Sequence, residues 1–164
     1  MRRFTMIAIS GPWLAGCTSV PGGQAIREVL DRQVAAWNAG DIEGFMSHYW
    51  HSEELTFVSV HQEQDPATGI NRPVTTMTRG WQATLDRYRQ RYPTSEAMGT
   101  LSFSELAVSR TSGDAARVKG RYRLDRKHDI PTGRFTLDMR RIEGAWRIVR
   151  DWTVSDGFRP SGED

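Results

Sequence analysis

The chain has 164 residues, 22 basic and 20 acidic side chains, a formal net charge of +2 and one cysteine. That length suits one domain around one core, and no second domain is expected. A lone thiol excludes an internal disulfide and a zinc cluster of cysteines, and the near balance of charge excludes the strongly basic surface of a nucleic-acid binder.

At the amino end, Met1, Arg2 and Arg3 form a charged start, Phe4 to Trp13 a short apolar run, and Ala15 and Gly16 a small-residue approach to a cleavage point. This is the layout of a secretory signal, and the apolar run is too short to span a bilayer as a helix. Leu14-Ala15-Gly16-Cys17 resembles the bacterial lipoprotein signal. That resemblance implies cleavage before Cys17, diacylglycerol on its thiol and acylation of the new amino group; the alternative is an ordinary buried cysteine. Residues 1–16 are then the signal peptide and 17–23 a lipidated tether, for which the aperiodic Thr18 to Gly23 is suited. Removing residues 1–16 takes away Arg2 and Arg3 and no acid, which brings the bases level with the acids. Acyl chains rather than a basic patch would therefore hold the protein at a membrane. The expected place is the bacterial cell envelope, at the periplasmic face of the outer membrane in a diderm cell.

From Gly22 onward Ile26, Val29, Leu30, Val34 and Trp37 fall at helical spacing, and Asn38-Ala39-Gly40 ends the run. Asp41 is placed to cap a second, short helix with Ile42, Phe45 and Met46 on its apolar side. Leu55 to Val60 and Val74 to Thr78 read as a hairpin with a long polar tip. Trp81, Leu85, Tyr88 and Tyr92 define a third helix that stops before Pro93. Four strands with period two follow, from Leu101 to Ser109, Ala115 to Leu124, Arg134 to Ile142 and Trp146 to Thr153, with turns at Ser112-Gly113, around Lys127 to Gly133, and at Glu143-Gly144. A polar tail over 156–164 is expected to be loose.

Helices first and an antiparallel meander last is an α+β order. That order, with "AWNAGDIEGFMSHYW", "TRGWQATLDRYRQRYP" and "GRFTLDMRRIEGAWRIVRDWTVS", resembles the SnoaL-like members of the nuclear-transport-factor-2-like superfamily, which include the association domain of calcium/calmodulin-dependent kinases. The resemblance spans 24–155. It implies a cone-like fold, a strongly curved antiparallel sheet wrapped on three helices of the amino-terminal half with an internal apolar pocket, often as a homodimer. Its members include isomerases, dehydratases, transport adaptors and oligomerisation hubs, so the fold fixes where a site lies rather than what it does.

A two-residue turn at Glu143-Gly144 sets Met139 opposite Ile148, Leu137 opposite Arg150 and Phe135 opposite Trp152. Phe135, Leu137, Met139, Trp146, Ile148, Arg150 and Trp152 then share the core face, while Thr136, Asp138, Arg140, Arg147, Val149, Asp151 and Thr153 share the solvent face. The same count at Ser112-Gly113 sets Leu101 against Leu124, Phe103 against Tyr122 and Glu105 beside Gly120. Arg150 and Glu105 thus become inward charges at the floor of an apolar pocket, recognising a ligand or neutralising each other directly or through Tyr122. The alternatives are a snorkelling Arg150 and an exposed Glu105 at a strand end, and a one-residue bulge would turn either residue to the other face. The resemblance offers Arg121 as a pocket arginine, whereas the register points it outward with Arg117, Lys119 and Arg123.

Most aromatic residues serve the core of a domain this size. Trp50 and Trp81, at the ends of elements, are the better pocket candidates, and Trp152 joins them by register. His48 and His51, with His61 further on, lack a following glutamate in a metalloprotease pattern, so no metal site is assigned. No cofactor motif, catalytic triad or phosphate loop is present in the sequence. The candidate ligand-binding set is Trp50, Trp81, Glu105, Tyr122, Arg150 and Trp152, with Cys17 for lipid. Binding of a small, mostly apolar molecule ranks first; a dimeric interaction module and a small isomerase or dehydratase, for which Glu105 is the available base, are the alternatives.

Overall fold

The computed structural model describes residues 23–160. The expected signal segment, Cys17 and the tether up to residue 22, and residues 161–164, lie outside the described residues.

Helix α1 (Gly23–Asn38) buries Ile26, Val29, Leu30, Gln33 and Trp37 along one stripe, the spacing that sets an amphipathic helix on a core. It stops at Gly40, whose φ of +77° is left-handed. The Asp41 carboxylate then accepts from the Gly44 amide at 2.7 Å and starts α2 (Ile42–Met46). Strands β1 (Thr56–Gln64) and β2 (Asn71–Arg79) form the hairpin, and α3 (Trp81–Arg91) and α4 (Ser95–Met98) follow. The meander is β3 (Thr100–Arg110), β4 (Ala115–Asp125), β5 (Asp129–Ile142) and β6 (Ala145–Pro160). All six strands join one curved open sheet in the order β2-β1-β6-β5-β4-β3, with β1 parallel to β6 and the other neighbours antiparallel. The expected α+β cone is the fold observed.

Side-chain hydrogen bonds to backbone lock the helices over the sheet. Asn38 donates to the Leu101 carbonyl at 3.1 Å and accepts from the Leu101 amide at 2.7 Å, and the Trp37 indole donates to the Met98 carbonyl at 3.1 Å. The Trp81 indole donates to the Met46 carbonyl at 3.0 Å, tying α3 to α2. Beneath these ties Trp37, Phe45, Leu85, Val118, Leu137, Met139 and Ile148 form the core, each large side chain contributing about 1.5–3 kcal/mol by leaving water.

Two bulges decide which residues face that core. Near the β5–β6 turn the pairing is as expected, with Ile142 opposite Ala145 and Met139 opposite Ile148. Beyond it the register shifts, so that Leu137 opposes Asp151 and Phe135 opposes Thr153. One extra residue in β6, at Val149-Arg150, turns the residues from Asp151 to Ser155 to the other face, and a further register shift follows between Ser155 and Gly157. In the β3–β4 pair, Leu101 opposes Leu124 and Phe103 opposes Tyr122 as expected, but the register shifts between Ser104 and Ala107. Glu105 sits in that bulge with φ +53° and is exposed. Leu106 takes the inward place instead, reaching within 2.7 Å of where a Cβ on Gly120 would stand.

The meander also runs longer than its period suggests. β6 continues past residue 155 to Pro160 by pairing with Asp129 to Thr132, so residues assigned to a turn and a tail form a ladder.

Candidate functional site

The inward face of the sheet is a burial gradient along β6. Ile148 is fully buried at the closed end, Asp151 is 4% exposed, and Thr153 and Ser155 are half-buried toward the open end. Neighbouring strands continue these rows with Phe57 and Ser59 on β1, Phe135 and Gly133 on β5, and Tyr122 on β4. The opposite wall is aromatic. Trp37, Phe45, Tyr88 and Tyr92 pack together in edge-on, tilted and stacked pairs at centroid distances of 4.8–6.1 Å, and Phe57 lies 5.6 Å from Tyr88. Gly133 is small by necessity, because a Cβ there would lie 2.5 Å from the Tyr122 ring and 2.2 Å from the Val154 carbonyl oxygen.

Asp151 is the polar centre of this wall. Tyr49 donates its hydroxyl proton to one carboxylate oxygen at 2.7 Å, and Thr153 donates to the other at 2.8 Å. Burial pushes the Asp151 carboxyl up to about 6, against the two hydroxyl donors, which pull it down. Burial also holds Tyr49 and Tyr88 well above the usual phenol range, and the Asp151 charge raises both further. Tyr122 is raised by burial as well, while its hydrogen bond with Ser155 lowers it. The arrangement therefore offers a carboxyl group that changes charge near pH 6, phenols that remain protonated, and an apolar surround. Such a set of groups is chemically suited to meeting a polar group at the end of an apolar molecule, or to moving a proton.

Of the residues singled out from the sequence, Tyr122 lies on this inward face. Arg150, Trp152 and Glu105 do not, because the two bulges reverse the faces on which the count had placed them. Arg150 is exposed, with its guanidinium 5.6 Å from the Trp152 ring on the outer side. Glu105 and Trp152 line an outer groove of about 460 Å³ with Lys119, Arg121, Arg134 and Val154. Arg121 thus points outward, as the register required. Trp50 and Arg150 share a second outer hollow of about 870 Å³ with Glu54, Arg117, Asp138 and Arg140. Trp81 is half-buried against the core, its ring 3.7 Å from that of His51. His48 is pushed down by burial and by Arg32 and Arg147, while His61 bonds Glu63 at 3.0 Å. The three histidines therefore do not converge.

The residues missed from the sequence are Asp151, Tyr49 and Tyr88. Their signal was present in Asp151-x-Thr153-x-Ser155, three small polar groups on one face, with Gly133 opposite Ser155 on β5 and Gly120 opposite Phe135 on β4. A solvated face has no need of a glycine on each of two adjacent strands.

No family model matches the chain, and no curated protein matches it. Solved structures do. An NTF2-like protein of unknown function from Shewanella oneidensis MR-1 is 34% identical with a TM-score of 0.69, over 82% of this chain and 99% of its own. An NTF2-like protein of unknown function from Pseudomonas putida KT2440 is 19% identical with a TM-score of 0.60, over 83% of this chain and 87% of its own. A hexachlorocyclohexane dehydrochlorinase, LinA type 2, is 14% identical with a TM-score of 0.59, over 87% of this chain and 91% of its own. A curved sheet wrapped over helices, with a polar group inside the cone, defines a class of pocket domain. The chain belongs to the NTF2-like family.

Proposed function

We propose that this chain is an envelope-tethered binding protein that holds a small, mostly apolar molecule inside the cone, with Asp151 and Tyr49 meeting its polar group. The observation that carries the reading is a carboxyl group 4% exposed, bonded to Tyr49 and Thr153 among aromatic walls, below a row of half-buried side chains that leads outward. A carboxylate in such surroundings costs stability, a cost that a binding site justifies and a core does not.

The tether belongs to the same reading. Cys17 carries the lipid after cleavage before it, and the domain works on the outer side of a bacterial membrane; Cys17→Ser should abolish both cleavage and acyl mass. A homodimer through the outer sheet face fits as well, since Met77 is 59% exposed and Trp152 37% exposed there.

The test is native mass spectrometry of the protein taken gently from the bacterial envelope. Mass above the polypeptide that is lost on denaturation, and absent from Ser155→Trp, supports the reading. An adduct that persists in Ser155→Trp, or none in either protein, contradicts it.

One observation favours catalysis as a second reading. A carboxyl pushed up to about 6 is suited to proton abstraction at neutral pH, which would make Asp151, in place of Glu105, the base of an isomerase or dehydratase. Turnover abolished by Asp151→Asn with binding retained would establish it.

A further inference from the structure

Arg87 differs from Arg89, two residues further along α3. Arg89 pairs with Glu43 and Asp86, and on the sheet Arg117 pairs with Asp138, as Arg121 does with Asp156. The half-buried Arg87 instead spends its donors on two hydroxyls, Thr78 at 2.9 Å and Ser59 at 2.7 Å, and its guanidinium carbon stands 5.0 Å from the Phe57 ring centroid. Among the described residues no carboxylate forms an ion pair with it. Hydroxyls orient a guanidinium without neutralising it, and donors of the fork remain unspent.

The position of this cation is set by the sheet. Phe57 and Ser59 are inward residues of β1, and their partners on β6 are Asp151 and Thr153. Arg87 therefore lies over the strand next to the buried carboxyl, with the Phe57 ring beneath it, while Asp151 is bonded to Tyr49 and Thr153. Tyr88 senses both groups: burial pushes its hydroxyl up, Asp151 pushes it further, and Arg87 pulls the other way. A cation with spare donors and a separate buried acid impose a direction on whatever lies between them. An anionic group is repelled by ionised Asp151 and drawn to Arg87, while a neutral hydroxyl or carbonyl suits the acid and Tyr49.

We propose that Arg87 is the anion-recognition residue of the cone and that the molecule held there is a carboxylate, its apolar body lying along Phe57 and Tyr88. This rests on the reading of the cone as a binding site and adds the chemical class of the ligand. The competing role is a clamp that only ties α3 to the β1–β2 hairpin. A clamp affects unfolding but cannot discriminate between ligands of the same shape and different charge.

The experiment uses 2-naphthoate and its neutral counterpart 2-naphthamide, titrated into the ¹⁵N-labelled protein while the amides of Ser59, Thr153 and Ser155 are followed. The expected result is that both probes move those amides, with the carboxylate bound roughly tenfold tighter. Arg87→Met, which keeps an apolar stem over Phe57, should erase the preference and leave 2-naphthamide affinity unchanged, and Arg87→Lys should keep part of it. If Arg87→Met does not fold, Arg87→Lys alone carries the comparison, since a point charge cannot reproduce a two-pronged bond. Equal affinity for the two probes, or a preference left undiminished in Arg87→Met or, where that variant does not fold, in Arg87→Lys, overturns the proposal and leaves the cone a binding site. Failure of both probes to move those amides removes the binding reading itself, and this proposal with it.

Discussion

Arg150 and Asp151 are consecutive residues on opposite faces of one sheet: the guanidinium lies outside beside Trp152, and the carboxyl lies inside bonded to Tyr49 and Thr153. A single bulged residue in β6 makes that exchange. The electrostatic character of the cone interior follows from it, because an inward arginine would have made the floor cationic.

Asp151→Asn tests the cost of burying that carboxyl. The folded group titrates at about 6 against an ordinary value of 3.8. Its pKa is raised, so between those two values the folded state holds more protons than the unfolded state. The stability contribution of Asp151 is therefore fully present below about pH 4 and is lost as pH rises through 6. The shift corresponds to roughly 3 kcal/mol at most. Denaturant midpoints of the two proteins should converge near pH 4, and above pH 7 the Asn variant should be equal or more stable. A wild type that gains on Asp151→Asn as pH rises from 4 to 7 would contradict the assignment.

Tyr49→Phe removes the stronger of two hydroxyl donors to the same carboxylate. At pH 8, where Asp151 is ionised, the loss should be about 1.5–3 kcal/mol. At pH 4, where the group is protonated, urea unfolding should show a smaller loss.

Glu105→Gly relieves a left-handed backbone at the β3 bulge, where φ is +53°. A gain of roughly 0.5–1 kcal/mol in thermal or chemical unfolding is expected. Because Glu105 faces the outer groove, ligand retention in the cone should be unaffected.

Arg150→Gln should move stability by no more than about 0.5 kcal/mol, as at other exposed positions, and leave bound mass unchanged in native mass spectrometry. Gly133→Ala is its counterpart inside the cone: a Cβ 2.2 Å from the Val154 carbonyl oxygen forces the backbone to move, and a loss above about 2 kcal/mol is expected from overpacking.

The elements were legible wherever local chemistry decides them. The stripe Ile26, Val29, Leu30 and Trp37 is a helix, Asp41 caps the next one, and Leu101 and Phe103 meet Leu124 and Tyr122 as counting predicts. The candidate site was not legible, because a count from a turn assumes an unbroken ladder. In β6 an extra residue between the turn and Asp151 exchanges the two faces, and in β3 Glu105 itself is taken up by the bulge. Glu105 is a poor residue for a left-handed position by its own preference, so its sequence carries no mark of the bulge. Asp151 and Thr153 read as solvent-facing for the same reason that they can serve a pocket: they are small and polar.

The most direct test of the account is a pH titration of the Asp151 side-chain carboxyl carbon by NMR, assigned by comparison with Asp151→Asn. A midpoint close to 6, shifted upward in Tyr49→Phe, places the carboxyl inside the cone beside Tyr49 as described. A midpoint near 4 that ignores the Tyr49 substitution would put Asp151 in solvent and Arg150 inside, and would leave the cone without its buried carboxyl.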